Sequence, residues 1–266
     1  MRSVVISLVS YGTNLKELSK VLSFTKDLKK IKHKVYIFDN ANQKNLKLFC
    51  KKKKINYFAS KDNLGFGNGH NYNINKTIKI KPVYLILNPD IYLNSKQFIY
   101  CLKVLQSKKK FGLLSPKLVN PDGTIQLTCR LIPNFFDFII RFFLGYSFSS
   151  LKIHNIIEKY KNEEYFVNIP FIHGACYFIK SEVINTVGVY DKNFFLYVED
   201  LDLYRRILEK FDTIYLNSIS VKHLFKRSSR KNFKLFIIHL KSILYYFLKW
   251  GFVNDYKKNK LNKNWK

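Results

Sequence analysis

Val83-Tyr84-Leu85-Ile86-Leu87-Asn88-Pro89-Asp90 is the stretch whose reading decides the fold. Its first five residues are apolar without alternation, the pattern of a strand buried on both faces. Pro89 removes a backbone donor and stops the ladder. Asn88 and Asp90 stand at i and i+2, so in an extended segment they point to the same side. The stretch reads as a central strand with two oxygen-bearing side chains at its C-terminal tip. A plain Asx-Pro turn after a strand is the competing reading.

Upstream, Val4–Val9, Lys34–Phe38 and Ile55–Ala59 read as strands. Between them, Leu15–Leu28 has helical spacing at Leu15, Leu18 and Leu22, with Thr13 or Asn14 as cap, and Lys44–Lys54 reads as a basic helix. A further helix is predicted over His70–Lys79. This βαβα alternation implies an α/β fold with a Rossmann-like, mostly parallel sheet flanked by helices. Ligands of such sheets bind beyond the carboxyl ends of the strands. Ser10, Asp39, Asn63 and Asp90 all fall there.

Downstream, Ser95–Leu105 reads as a helix. Leu113–Val119 and Thr124–Thr128 read as segments flanking the turn Asn120-Pro121-Asp122-Gly123. Phe135–Phe148 is rich in aromatics, and Lys152–Glu164 reads as a loop or mobile helix. Phe171–Ile179 is a strand, Ser181–Val187 a helix stopped by Gly188, and Leu201–Lys210 a helix. Thr213–Leu216 and Ser218–Val221 read as strands, and the chain is helical, apolar and basic from Phe233 on.

The 266 residues suffice for one large α/β domain, and 47% hydrophobic residues allow a sizeable core. A formal charge of +29 points to an anionic partner, such as nucleic acid, a membrane surface or phosphorylated substrates. Seven of the cations are Arg and forty are Lys, and Arg is the residue suited to bidentate phosphate recognition. Much of the Lys excess is therefore equally a matter of solvated surface. Nucleic-acid binding is not expected, because no recognised module is present. Cys50, Cys101, Cys129 and Cys176 show no CxxC pairing, which argues against zinc and disulfides and fits a cytoplasmic setting. The apolar start at Met1–Val9 is too short for a signal peptide, and no uncharged run reaches the ~18 residues of a membrane span.

Three further features carry chemistry. Gly65-Phe66-Gly67-Asn68-Gly69 suits close approach of backbone to a ligand, yet departs from the usual phosphate-loop patterns and reads equally as a flexible turn. Glu199 and Asp200 open a helical stretch, where a carboxylate in a dry cleft can act as a general base and where helix starts favour acids anyway. His223 follows a strand and is a candidate metal ligand, although a lone His is more often structural.

Taken in order, Ser10-Tyr11-Gly12-Thr13-Asn14, Asp39-Asn40, Asn63 to Asn71, Leu87 to Asp90, Pro121-Asp122-Gly123, His173 to Cys176, and Gly188 to Phe195 leading into Glu199-Asp200-Leu201-Asp202-Leu203 and Arg205 resemble glycosyltransferase family 2. These are inverting enzymes of the GT-A nucleotide-diphospho-sugar transferase fold, and the blocks look most like the bacterial rhamnosyltransferase-like branch. The tail blocks His223, Arg227-Ser228-Ser229, Lys241-Ser242 and Tyr245-Tyr246 resemble that branch too. The resemblance implies that Ser10 and Asp39 contact a pyrimidine nucleoside, and that Tyr11, Asn63, Gly65, Phe66, Gly67, Asn71, Asn88, His173 and Gly174 line the donor site. It implies Asp200 as catalytic base and Glu199 as the group orienting the acceptor. Asp90 and His223 would hold Mg²⁺ or Mn²⁺. Asn88 stands where the family has the first Asp of Asp-x-Asp, which implies a weaker metal site. The implied reaction moves L-rhamnose from dTDP-rhamnose onto a lipid-linked saccharide in surface-polysaccharide synthesis. Other donors (a UDP-hexose or UDP-galactofuranose) and an inactive basic membrane-binding protein on the same fold are the alternatives. The expected organisation is a GT-A domain over residues 1–228 and a basic amphipathic helical extension over 229–266. That extension, with Phe236, Leu240, Ile243, Leu244 and Phe247 at helical spacing, is expected to lie on an anionic membrane at the inner face of the plasma membrane. A buried helix capping the sheet, or a homodimer contact, is the alternative use of such a face.

Overall fold

The computed structural model describes residues 3–144, 148–224, 233–252 and 255–265. Arg227-Ser228-Ser229 and the expected boundary at 228/229 lie outside the described residues. The N-terminal half runs β1 (Val4–Ser10), α1 (Leu15–Val21), β2 (His33–Asp39), α2 (Lys44–Lys52), β3 (Asn56–Ala59), α3 (Phe66–Thr77), β4 (Val83–Leu87), β5 (Ile91–Tyr92), α4 (Ser95–Ser107) and β6 (Phe111–Val119). There follow β7 (Cys129–Arg130), α5 (Phe135–Leu144), α6 (Phe148–Lys159), β8 (Tyr165–Val167), β9 (Phe171–Ile172), β10 (Cys176–Lys180), α7 (Ser181–Val187), α8 (Glu199–Leu208), β11 (Asp212–His223), α9 (Phe233–Trp250) and α10 (Tyr256–Lys263).

The main sheet has the order β3-β2-β1-β4-β10-β6-β11-β5, with β8 also paired to β11. β1 runs parallel to β2 and β4, and β2 to β3. β10 is inserted antiparallel between β4 and β6, and β11 resumes the parallel direction beside β6. The central strands are buried throughout, and alternate residues feed two cores. Val4, Ile6, Leu8, Leu85 and Leu87 join one core, while Val5, Tyr84 and Ile86 join the other.

This topology gathers distant segments at one edge. β1, β2 and β4 end there. Because β10 is antiparallel, its beginning lies there too, with Cys176 opposite Leu87 and the Asn88 N–H donating to the Ala175 carbonyl at 3.0 Å. β11 ends there as well, pairing His223 with Ile91.

Several elements differ from the sequence reading. α3 begins at Phe66, a turn before His70, so Gly67 and Gly69 are helical rather than part of a loop. Both are packing positions: a Cβ on Gly69 would meet Val9 at 2.7 Å, and one on Gly67 would meet Tyr190 at 3.0 Å. Gly65 alone needs its freedom, since φ is +82° and a Cβ would collide with the Phe195 carbonyl. Thr124–Thr128 forms only a bridge from Ile125 to Val119, and Phe171–Ile179 is broken in two around His173-Gly174-Ala175. Lys152–Glu164 is mostly the helix α6, and residues 212–223 form one irregular strand rather than two.

Candidate active site

Asp90 follows β4 directly, and His223 ends β11. Their side chains meet with Asp90 Oδ1 3.3 Å from His223 Nε2. The opposite ring nitrogen, Nδ1, lies 2.8 Å from Gln126 Oε1, while Gln126 Nε2 donates to the His223 carbonyl at 3.0 Å. The imidazole is thereby fixed in the way that orients a metal-binding histidine. Asn88 Oδ1, two residues before Asp90 in the chain, is buried with no partner. Among the described residues no cluster of three or more His, Cys, Asp or Glu side chains is gathered. The site offers a carboxylate, an imidazole and an orphan amide oxygen. That set fits a hard divalent cation that completes its shell from substrate phosphates and water.

Asp200 lies in the first turn of α8. Its Oδ2 accepts the Gly174 N–H at 2.9 Å and its Oδ1 accepts the Leu201 N–H at 2.9 Å. Gly174 is required, since a Cβ there would fall 2.7 Å from Asp200 Cβ. The His173-Gly174-Ala175 break in the strand thus exists where the Asp200 carboxylate meets the sheet edge. His173 itself anchors that break, its N–H donating to the Thr128 carbonyl at 3.1 Å.

Glu199 is buried, and its Oε2 has no partner. Burial, and then the neighbouring Asp200, push its carboxyl up to about 8. A raised folded-state pKa means that stability is full below the unfolded value of 4.5 and falls as pH rises toward 8. Glu199→Gln should therefore stabilise the protein relative to wild type by a margin that is larger at pH 8 than at pH 5. Thermal unfolding at the two pH values checks this, and an equal margin at both would contradict it.

The remaining sequence candidates are placed as follows. The Asp39 carboxylate is fully buried and already accepts from the Ala41 and Gln43 N–H groups and the Tyr57 hydroxyl. Ser10 donates to Thr13 Oγ1 at 2.8 Å, and Tyr11 stands exposed at the rim. Asn63 caps the Gly65 N–H at 2.9 Å. Asn71 uses both ends of its amide on the Tyr190 backbone, at 2.8 and 2.9 Å. Phe66 packs edge-on against His70 at 4.5 Å. Ser10, Asp39, Asn88, Asp90, Gly174 and His223 share one sheet edge. The Gly65–Asn71 segment instead braces the 190–195 loop.

The structure also shows what holds Asp200 in place. Tyr197 and Val198, the two residues before α8, both have φ of +69°. A β-branched residue in that region is strained, at a cost of ~1–3 kcal/mol, and persists only where its surroundings fix it. α9 supplies that fixing: Ser242 Oγ donates to the Leu196 carbonyl at 2.8 Å, Lys249 pairs with Asp191 and Asp202 at 2.7 Å each, and Trp250 Nε1 donates to Asp202 at 2.9 Å. Sequence reasoning passed over Gln126 and Arg130, and did not pair Ser242, Lys249 or Trp250 with the 190–202 segment. Each depends on a tertiary contact, and the available signal was only the scarcity of Arg.

No protein-family model matches the chain. The chain is 25% identical over 228 residues to rhamnosyltransferase WbbL of Escherichia coli, spanning 80% of this chain and 81% of that protein. It is 24% identical over 179 residues to the low-salt glycan biosynthesis hexosyltransferase Agl10 of Haloferax volcanii, spanning 62% of this chain and half (50%) of that protein. It is 22% identical over 140 residues to the N-acetylglucosaminyl-diphospho-decaprenol L-rhamnosyltransferase of Mycobacterium tuberculosis, spanning 52% and 46%. Among solved structures, the mannosyltransferase PcManGT of Pyrobaculum calidifontis, in complex with GDP-Man and Mn²⁺, superposes with a TM-score of 0.61 at 12% identity, over 99% of this chain and 69% of that one. TarS 1-349 of S. aureus does so with a TM-score of 0.58 at 12% identity, over 97% and 69%. The chain therefore has the GT-A glycosyltransferase fold, and the relatives it resembles are rhamnosyl- and hexosyltransferases.

Proposed function

We propose that this protein is an inverting glycosyltransferase that moves a sugar from a nucleoside diphosphate to a hydroxyl of a lipid-linked saccharide in polysaccharide synthesis. The observation that carries this reading is the convergence of Asp200 with Asp90 and His223 at one sheet edge, from three segments far apart in sequence. The donor sugar we assign is L-rhamnose on dTDP, supported by the likeness to WbbL and to the mycobacterial rhamnosyltransferase. A hexose donor is the second reading, supported by the likeness to Agl10. The name of the mycobacterial relative, with its diphospho-decaprenol substrate, supports the lipid-linked acceptor.

In this mechanism the acceptor hydroxyl attacks the anomeric carbon from the face opposite the leaving group. Asp200 takes the hydroxyl proton as the bond forms, and the nucleoside diphosphate departs with the electron pair of the broken bond. The backbone donors on Asp200 fix its orientation without using all its lone pairs, so a proton-accepting site remains. Asp90 and His223, with Asn88 Oδ1, would hold Mg²⁺ or Mn²⁺, which when bound supplies positive charge to the leaving diphosphate. Glu199, held neutral by burial, would turn a hydrogen-bond donor toward the acceptor side. Donor-dependent thermal stabilisation in Mn²⁺ tests this assignment. dTDP-rhamnose should raise the melting temperature of the wild type, and Asp90→Ala should remove most of that rise. If no nucleotide sugar stabilises the wild type, the donor assignment is wrong.

α9 also supports a place at a membrane surface. No helix among the described residues is long and apolar enough to cross a membrane. Of the face expected to meet lipid, Ile243 and Phe247 are buried in the second core together with Tyr246. The outward stripe is instead Phe233, Leu240, Leu244 and Leu248, flanked by exposed Lys234 and Lys241. Such a face suits the interface of an anionic cytoplasmic leaflet. The protein should sediment with anionic vesicles at low salt, and Leu244→Ser with Leu248→Ser should abolish this. Wild-type protein that stays in the supernatant would exclude peripheral attachment.

A further inference from the structure

Arg130 ends β7, one of the two strands of the small second sheet, where it pairs with Phe171 of β9. β9 leads directly into His173-Gly174, the segment that holds Asp200, and the His173 N–H bonds back to Thr128. Arg130 is thus fixed by the same backbone that fixes the base, and Asp200 is the carboxylate whose field reaches it. No side-chain hydrogen bond or ion pair to the guanidinium is present among the described residues, and Nε is buried with no partner. Nearby, Thr128 Oγ1 is also buried without a partner. The same short segment carries Gln126 to the His223–Asp90 corner. One connecting segment therefore spans from the metal corner to the base, and two of its buried polar atoms await a partner.

Arg130 is half-buried with its Nε enclosed, and its desolvation is offset only in part by the field of Asp200, with no hydrogen bond made among the described residues. Its planar fork suits a phosphate. We propose that Arg130 is an anion receptor of this site, pairing through its guanidinium with a phosphate of the substrate while Thr128 Oγ1 supplies a second contact. This rests on the glycosyltransferase reading above. It adds a cation that side chains alone provide, next to a corner where Asn88 replaces a carboxylate. The phosphate belongs either to the donor diphosphate or to the lipid-linked acceptor, and the two sources are separable.

The test compares wild type, Arg130→Gln and Arg130→Lys. Titration calorimetry with dTDP, UDP and inorganic pyrophosphate reads the donor arm. KM for a lipid-diphosphate-linked saccharide against an alkyl glycoside lacking phosphate reads the acceptor arm. If the donor is the source, Arg130→Gln weakens nucleoside diphosphate and pyrophosphate binding by about 10- to 100-fold, as for loss of a charge-assisted hydrogen bond. If the acceptor is the source, nucleotide affinity holds and KM rises for the phosphate-bearing acceptor alone. Arg130→Lys should lie between in either arm, keeping charge but losing the fork. The unliganded melting temperature of Arg130→Gln should change little, because the guanidinium makes no hydrogen bond or ion pair among the described residues. Unchanged nucleotide affinity together with unchanged KM for both acceptors would overturn the proposal, and would leave the transferase reading standing so long as Asp200→Asn remains inactive. The reverse pattern, pyrophosphate affinity lost in Arg130→Gln by a wild type that transfers no sugar, would keep the receptor and sink the transferase reading.

Discussion

Asp200→Asn is expected to lower sugar transfer by about 10²–10⁴-fold, the usual loss when a positioned general base is removed. Donor affinity should stay near wild type. The reason is geometric. Asp200 is held by the Gly174 and Leu201 N–H groups, at the start of α8, while the carboxylate and imidazole suited to a cation stand in the turn after β4 and at the end of β11. Asn keeps the size but only one acceptor oxygen, so it retains one of the two backbone hydrogen bonds and turns its NH2 group toward the other N–H. What it loses is the capacity to take a proton. Initial rates at saturating donor and acceptor, alongside donor binding by calorimetry, separate the two properties. A variant with wild-type turnover would remove Asp200 from the chemistry. One with equal losses in donor binding and turnover would move it to the donor site.

Much of this site was legible because its parts carry local signals. The unbroken apolar run of β4 announced a central strand, and Asn88-Pro89-Asp90 announced its end. Glu199-Asp200 announced a helix start, two residues earlier than the periodicity alone suggested. Strand direction was not legible. Nothing in the apolar residues of β10 tells that it runs against β4, yet that reversal brings Gly174 to Asp200. That Gly67 and Gly69 are helical was not legible for a related reason. Glycine serves a tight helix–strand contact as readily as a ligand loop, and only the positions of Val9, Tyr190 and Phe195 decide between them. The apolar face of α9 was visible, but which half of it meets the core depends on neighbours hundreds of atoms away in the chain. Its polar inner contacts, Ser242 and Lys249, fall inside a run that reads as hydrophobic.

Asp255→Ala should be the most damaging single change to stability outside the cores. Arg205 is almost wholly buried at 1% exposure, and Asp255 at 8%. Both Arg205 Nη atoms lie 2.8 Å from the Asp255 carboxylate, and Nη1 also donates to the Tyr246 hydroxyl at 2.7 Å. The guanidinium stacks 4.0 Å from the Trp250 ring. Asp255 also caps α10 by accepting the Lys258 N–H at 2.9 Å. α8, which carries Asp200 in its first turn, is tied through Arg205 to both C-terminal helices. Removing Asp255 leaves a buried charge without compensation, which costs about 3–5 kcal/mol, and lost capping adds roughly 1 kcal/mol. At about 2–4 °C per kcal/mol for a chain of this size, the melting temperature should fall by roughly 10 °C or more. The double change Arg205→Met with Asp255→Asn should recover much of the loss, because no charge is then stranded and the Asn still caps. Thermal unfolding of the three proteins decides the matter. An Asp255→Ala protein melting within about 2 °C of wild type would mean that the pair contributes little and that the C-terminal helices do not anchor the helix carrying Asp200.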